Sequence, residues 1–199
     1  MKKVIAGLLV LAVLALGLWV RAYRAYERAE QGAIALLRAG DGKGALETIH
    51  GYLTSVDSYP VRNIARLGTF HKRLRYHEGV GYLVVGDNAS AEGALRDAAQ
   101  SSESGIAAKA SYNLADIALR RDDLETARAH VSRSLELNPV DVEAKVNLEL
   151  LLKKIQAESS GEDKGKGKGV PVPGQSDLWR LDIPQYDSPS SGGSNRTYR

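Results

Sequence analysis

The chain has no cysteine among its 199 residues, and it has only one phenylalanine, two tryptophans and six prolines. Without cysteine it forms no disulfide and has neither a thiol nucleophile nor a thiolate metal ligand. Hydrophobic residues make up 43% of the chain, and alanine and leucine supply most of them. That composition favours closely packed helices over a β-sandwich. Runs of alternating β-branched residues, which would predict strands, are also missing.

Enzymatic motifs are missing as well. The histidines do not follow an H-E-x-x-H or other metal-helix spacing. The sequence GDGKG at 40–44 lacks the spacing of a phosphate-binding loop, and no G-x-S-x-G nucleophile elbow is present. We therefore expect a protein that is not an enzyme, with no cofactor, no metal and no small-molecule substrate.

The clearest feature that is present is an uncharged apolar run from Val4 to Val20, preceded by two lysines. Seventeen helical residues span about 25 Å, a little less than the ~30 Å hydrocarbon core of a bilayer. Flanking Arg21 and Arg24 can snorkel, and Trp19 and Tyr23 can sit at the interface. We expect an uncleaved transmembrane anchor.

The alternative to an anchor is a cleaved signal peptide. The run is long for such a peptide, and no A-x-A-like cleavage site follows it. Positive charge lies on both sides of the run, so orientation is less clear. The amino terminus and two lysines favour a cytoplasmic N-terminus, which predicts a single-pass protein of the bacterial inner membrane with its soluble domain in the periplasm.

Residues 26–156 read as helix interrupted by short polar breaks, which predicts about seven helices. Within them, small and apolar residues recur with a period of about 34 residues, as in the tetratricopeptide (TPR) pattern W-x2-L-G-x2-Y, then Ala-x3-Phe, then Pro. Four units fit, starting at Tyr26, Lys72, Ala108 and Val142, with an insertion in the first interval. The Ala-x3-Phe positions are filled by Ala45 and Ile49, by Ala91 and Leu95, and by Ala127 and Val131.

The fourth unit stops after one helix, which we interpret as a cap with a polar outside and leucines inside. An unrelated helical bundle with chance matches is the alternative. The sequence thus predicts an all-α, TPR-like right-handed solenoid of about three helical hairpins plus a capping helix, behind one transmembrane helix. The predicted domains are residues 1–24 for the anchor, 25–157 for the helical domain and 158–199 for a disordered tail.

Part of the repeat region also resembles a known bacterial group. Tyr112-Asn113-Leu114, the Asn138-Pro139 turn and AKVNLELLL at 144–152 are similar to the TPR segment of Bat and MxaK-type proteins, over roughly residues 105–155. These proteins are encoded with von Willebrand factor A proteins and MoxR-type ATPases. The resemblance implies a maturation accessory, in the MxaK case for a calcium-dependent periplasmic dehydrogenase of methanol oxidation, and it implies von Willebrand factor A domain proteins as partners.

TPR proteins bind extended peptides on the concave face formed by the first helices of their units. The positions that line this face predict the following peptide-binding residues: Arg73, Tyr76, His77, Lys109, Tyr112, Asn113, Asp116 and Asn147. Asn113 and Asn147 could hydrogen-bond a peptide backbone, and Arg73 and Lys109 could hold a carboxylate. The alternative is that the two asparagines cap or bridge neighbouring helices.

Charge gives little reason to expect nucleic acid as a partner. Residues 29–157 carry sixteen basic and seventeen acidic side chains, and the tail carries six of each, so the positive excess lies at the membrane end. A local exception is the acid-free stretch 62–76, whose basic residues are Arg62, Arg66, Lys72, Arg73 and Arg75. It is either a solvated face or a contact for an acidic peptide or a lipid headgroup.

The tail contains one apolar island within Gly-, Ser- and Lys-rich sequence, at 177–187. An apolar cluster in such a segment indicates a docking motif, here Leu178, Trp179, Leu181, Ile183 and Tyr186. It would bind a partner or the chain's own groove. Together these features predict a membrane-anchored scaffold for assembly or maturation of an extracytoplasmic complex; the alternative is a general cell-envelope interaction protein, for division or outer-membrane biogenesis.

Overall fold

The computed structural model describes residues 2–57 and 65–160, without the side chains of residues 2–4, 56–57 and 65–67. In these ranges the chain forms seven α-helices and no strand. They are α1 (Lys2–Arg38), α2 (Gly42–Asp57), α3 (Ala65–Val85), α4 (Asn88–Ala98), α5 (Ser104–Arg120), α6 (Leu124–Leu137) and α7 (Val142–Ser160). The all-α class and the number of helices expected from the sequence breaks are confirmed. The tail island at 177–187 lies outside the described residues.

The first helix is 37 residues long and joins two different environments. Its N-terminal half is long and apolar enough to cross a membrane, and none of this apolar stretch is buried against the other described residues. Its C-terminal half buries one stripe, formed by Tyr26, Ala29, Ala33 and Leu37, at helical spacing. The boundary expected between anchor and domain, at residue 24, therefore falls inside one uninterrupted helix.

The remaining helices pack mainly against their neighbours in sequence. Each consecutive pair from α1 to α7 is in contact, and α3 also contacts α1 and α5. The chain therefore runs back and forth in antiparallel hairpins, α1–α2, α3–α4 and α5–α6, with α1, α3 and α5 side by side. The last helix, α7, packs on α6.

The turn inside each hairpin has the same construction. A residue with positive φ ends the first helix: Gly40 (77°), Gly86 (83°) and Asp122 (58°). The N–H of the following aspartate donates to a carbonyl five residues earlier, as in a Schellman motif. The carboxylate of that aspartate then accepts the backbone N–H three residues on, at 2.8 Å, 3.0 Å and 3.1 Å in the three turns. One local structure thus recurs three times.

The second helices of the hairpins also bury equivalent residues. Ala45, Ala91 and Ala127 follow their capping aspartates by four positions and are 0% exposed. Four residues later, Ile49, Leu95 and Val131 are also 0% exposed. Small residues let the paired helices approach: a Cβ on Gly79 of α3 would lie 2.6 Å from Leu95 Cγ on α4. The predicted register of packing positions agrees with this burial.

The outer face of α7 differs from the expected polar cap. Ala144 and Leu151 are buried, but Val142, Val146 and Leu152 are 70%, 48% and 46% exposed. No eighth helix follows in the described part of the chain to cover them. The predicted cap, polar outside with leucines inside, is therefore wrong for these three residues.

Candidate functional site

The predicted peptide-binding residues lie on α3, α5 and α7, which are the first helices of the predicted units, at the positions expected to face inward. Six of the eight are buried: Tyr76, His77, Tyr112, Asn113, Asp116 and Asn147. Arg73 and Lys109 are half-buried. Solvent thus reaches mainly the two cations on this face, while the other side chains lie against neighbouring parts of the protein.

Asn147 connects α7 to α5. Its side-chain amide donates a hydrogen bond to the hydroxyl of Tyr112. Burial raises the pKa of the Tyr112 phenol above its usual value, and the carboxylates of Glu143 and Asp141 add to the shift. For Asn147, this contact is the helix-bridging role that the sequence left open beside peptide binding.

Asn113 occupies the corresponding position on α5 but has a different environment. It is 0% exposed, and neither its Nδ2 nor its Oδ1 has a hydrogen-bond partner among the described residues. Nδ1 of His77, one helix away, is likewise buried without a partner in the described part of the chain. Burying an unpaired amide is costly, by about 1–3 kcal/mol. These two side chains therefore carry unused hydrogen-bonding capacity.

Glu30 of α1 was missed by the sequence reasoning, although it belongs to the same face. Its Oε1 lies 3.5 Å from Nε2 of His77 and 3.7 Å from Nη1 of Arg73, both on α3. Burial alone would raise the pKa of the Glu30 carboxyl, but His77, Tyr26 and Arg73 outweigh it and hold this pKa below the usual value. The signal was available, because Glu30 is the fifth residue of the first predicted repeat, as Tyr76 and Tyr112 are of the next two.

The basic stretch on α3 is neutralised by acids from other helices. Lys72 and Arg75 both donate to Asp97 of α4, and the Arg75 Nε to Asp97 Oδ2 distance is 3.3 Å. Arg73 donates to Glu103 at 2.8 Å. These three cations therefore do not form a free surface for an acidic ligand. The side chains of Arg62 and Arg66 lie outside the described part.

A second missed acid is Glu78, which occupies the leucine position of the second predicted repeat and is 4% exposed. Its carboxylate accepts from Arg75 and lies 2.8 Å from Nε2 of His50 on α2. A buried carboxylate at a packing position is tolerated because both oxygens are engaged. These contacts hold α2 against α3.

A small cleft of about 190 Å³ opens between α5 and the α6–α7 turn, beside the predicted peptide-binding residues of α5. Its lining consists of Ala108, Lys109, Tyr112, Asn138, Asp141 and Glu143. The volume suits one side chain rather than a small-molecule substrate, since ligand pockets usually measure about 300–1,000 Å³. Two carboxylates and one ammonium make the lining polar and slightly acidic.

Comparison with known proteins does not assign the chain to a family. No protein-family model matches the chain, and no curated protein matches it.

Proposed function

We propose that the chain is a membrane-anchored scaffold of TPR type, with three hairpins and a final unpaired helix. The observation that carries this proposal is the threefold recurrence of one turn, with its positive-φ residue and aspartate cap, followed by the buried alanine and aliphatic pair. A hairpin of this kind buries its apolar faces only by stacking on others. An unrelated bundle would have no reason to repeat the same turn at equivalent positions.

The anchor in this proposal is the apolar half of α1, crossing the bacterial inner membrane with the helical domain on the periplasmic side. The proposal is supported by the absence of any burial of this half against the described domain. Left in water, about seventeen apolar residues would expose far more apolar surface than a soluble protein normally shows. Carbonate extraction of membranes would test it, and release of the full-length chain would contradict an anchor.

The partner in this proposal is an extracytoplasmic protein undergoing assembly or maturation, of which the von Willebrand factor A class is the specific candidate. We place its contact at the end of the stack, where the acidic cleft adjoins exposed apolar side chains of α7. Glu143 and Lys109 offer charged groups, and Val142 and Val146 offer uncovered apolar area. Of the predicted peptide-binding residues, Lys109 and Tyr112 line this cleft.

The experiment is site-specific photocrosslinking in the native membrane, with the photoreactive residue at Val146 and, as a control, at Ala129 on the exposed side of α6. We expect Val146, and not Ala129, to crosslink one extracytoplasmic protein. Binding of that purified protein should weaken with Glu143→Lys and persist with Glu125→Lys on α6. Equal crosslinking from both positions would contradict a partner site on α7.

The same purified pair tests the tail. Trp179→Ala should leave binding unchanged if the cleft and α7 hold the partner. If Trp179→Ala abolishes binding while Glu143→Lys does not, the tail island is the partner site. Deleting the gene should leave the captured complex unassembled; normal assembly would favour the general cell-envelope role over a maturation role.

A further inference from the structure

Three arginines follow the apolar run on α1 and share one side of the helix. Arg21, Arg24 and Arg28 are spaced i, i+3 and i+7, which places them within about 60° of one another around the axis. All three are exposed. The stripe that packs on the domain, represented by Tyr26 and Ala33, lies on the opposite side. The arginines therefore face away from the helical domain.

These charges have no partner in the described part of the chain. None of the three arginines pairs with a carboxylate there; the only hydrogen bond among them is from Arg28 Nε to the backbone carbonyl of Arg24, at 3.1 Å. Glu30 points to the other side of the helix, toward His77 and Arg73. Three positive charges thus lie together, with Glu27 as the one acid between them in sequence, on a surface that the described helices leave exposed.

The positions of Arg21 and Arg24 along the helix match the headgroup layer, and Arg28 lies just beyond it. At about 1.5 Å per residue, Arg24 lies roughly 4–5 Å and Arg28 roughly 10–11 Å beyond Arg21. The headgroup layer is about 5–8 Å thick on each side of a bilayer. Helical side chains tilt toward the N-terminus, which here is the direction of the membrane. The contact of Arg28 with the Arg24 carbonyl shows its side chain folded one turn back in that direction.

At the end of the apolar run, aromatic residues determine which side of α1 faces the domain. Trp19 stacks on Tyr23 with ring centroids 5.6 Å apart, and Tyr23 meets Phe70 of α3 edge-on at 5.7 Å. Aromatic rings of this kind sit at the membrane–water interface. The start of α3 is therefore held near the bilayer on one side of α1, and the arginines are presented on the other.

We propose that Arg21, Arg24 and Arg28 form a binding surface for anionic phospholipid headgroups of the bilayer that α1 crosses. The proposal rests on the membrane anchor proposed above. Guanidinium groups bind phosphate oxygens in bidentate fashion, which suits phosphatidylglycerol-type headgroups. Together with the Trp19–Tyr23–Phe70 contact, bound lipid would set the orientation of the helical domain to the membrane.

The test places the reporter on the arginine face of α1 in the full-length chain, by Gly17→Trp with Trp19→Phe and Trp179→Phe so that one tryptophan remains. Gly17 precedes Arg21 by about one turn, and a Cβ there would meet nothing within 4 Å. The protein is reconstituted into vesicles of phosphatidylcholine and phosphatidylglycerol, and brominated forms of either lipid quench the tryptophan at position 17 when bound beside it. We expect phosphatidylglycerol to be preferred over phosphatidylcholine about five-fold. This ratio corresponds to about 1 kcal/mol of attraction between the anionic headgroup and a basic residue at the surface. The triple change Arg21→Gln, Arg24→Gln and Arg28→Gln should remove the preference.

A matched control removes three exposed arginines elsewhere, each paired with a local glutamate: Arg96→Gln, Arg128→Gln and Arg133→Gln. This variant should keep the preference. No preference in the parent protein, or an unchanged preference in the α1 triple variant, would overturn the proposal. If the triple variant inserts poorly, Arg24→Gln alone should give a partial loss. Extraction of the parent chain by carbonate would instead overturn the anchor, so the two failures are distinguishable.

Discussion

Gly79 provides the sharpest test of the hairpin packing. An added Cβ would lie 2.6 Å from Cγ and 2.8 Å from Cδ2 of Leu95, and 3.3 Å from its backbone nitrogen. Leu95 is 0% exposed, so its side chain has no free space to move into. Overpacking of this kind costs about 1–3 kcal/mol. Replacing glycine by alanine inside a helix stabilises the helix by about 1 kcal/mol, because alanine has the higher helix propensity. We expect Gly79→Ala to lower the free energy of unfolding by up to about 2 kcal/mol.

Gly93 is the matched control, because it lies within α4 of the same hairpin and an added Cβ there would meet nothing within 4 Å. Gly93→Ala should therefore stabilise the protein by about 0.5–1 kcal/mol, from helix propensity alone. The propensity gain is common to both variants, so their difference isolates the packing cost at Gly79.

The assay is urea unfolding of the full-length chain in nonionic detergent, followed by far-UV circular dichroism. The two variants should move the midpoint in opposite directions. A Gly79→Ala midpoint that rises as much as the Gly93→Ala midpoint would refute the close approach of α3 and α4.

Three further predictions use the same assay. Ala127→Leu should lower stability by about 1–3 kcal/mol because Ala127 is 0% exposed, whereas Ala129→Leu on the exposed side of α6 should change it little; equal effects would contradict the repeat register. Asp122→Gly relieves the strain of a non-glycine residue at φ 58° and should raise stability by about 0.5–1 kcal/mol. The ion pair that it removes, to Lys154 at 2.8 Å, is exposed and contributes little; a lower midpoint would contradict the strain at this turn. Burial alone would raise the pKa of the Asp97 carboxyl, but Lys72 and Arg75 hold this pKa below the usual value. The ionised Asp97 carboxylate should therefore stabilise the fold above about pH 4, and this stabilisation should be lost as pH falls further. Asp97→Asn should flatten that acid-side loss, and an unchanged pH profile would contradict the ion-pair cluster.

The sequence by itself determined the local structure. Helix ends follow from residues close in the chain: a residue that adopts positive φ, then an aspartate whose carboxylate caps the next helix. Gly40, Gly86 and their aspartates signal this directly, and the Ala-x3-Phe period then identifies Ala91 and Ala127 as packing positions. The predicted number of helices and the predicted packing positions therefore agree with the structure, because period and capping are short-range properties.

The tertiary structure decided which polar residues are engaged. Asn113 and Asn147 occupy corresponding positions, yet Asn147 bonds to Tyr112 and Asn113 is buried without a partner among the described residues. The helical period predicts on which face of a helix a side chain lies, but it does not predict which residues of other helices cover that face. The role of these asparagines in peptide binding stays a prediction.

The same limit applies to charge. The stretch 62–76 contains no acid, and sequence alone left it open as a free basic face. Its carboxylate partners, Asp97 and Glu103, come from residues more than twenty positions away that the stacking of α3 on α4 and α5 brings into contact. Electrostatic pairing depends on distance in space, so only the packed helices could show that Lys72 and Arg73 are neutralised while the arginines of α1 are left without carboxylate partners in the described chain.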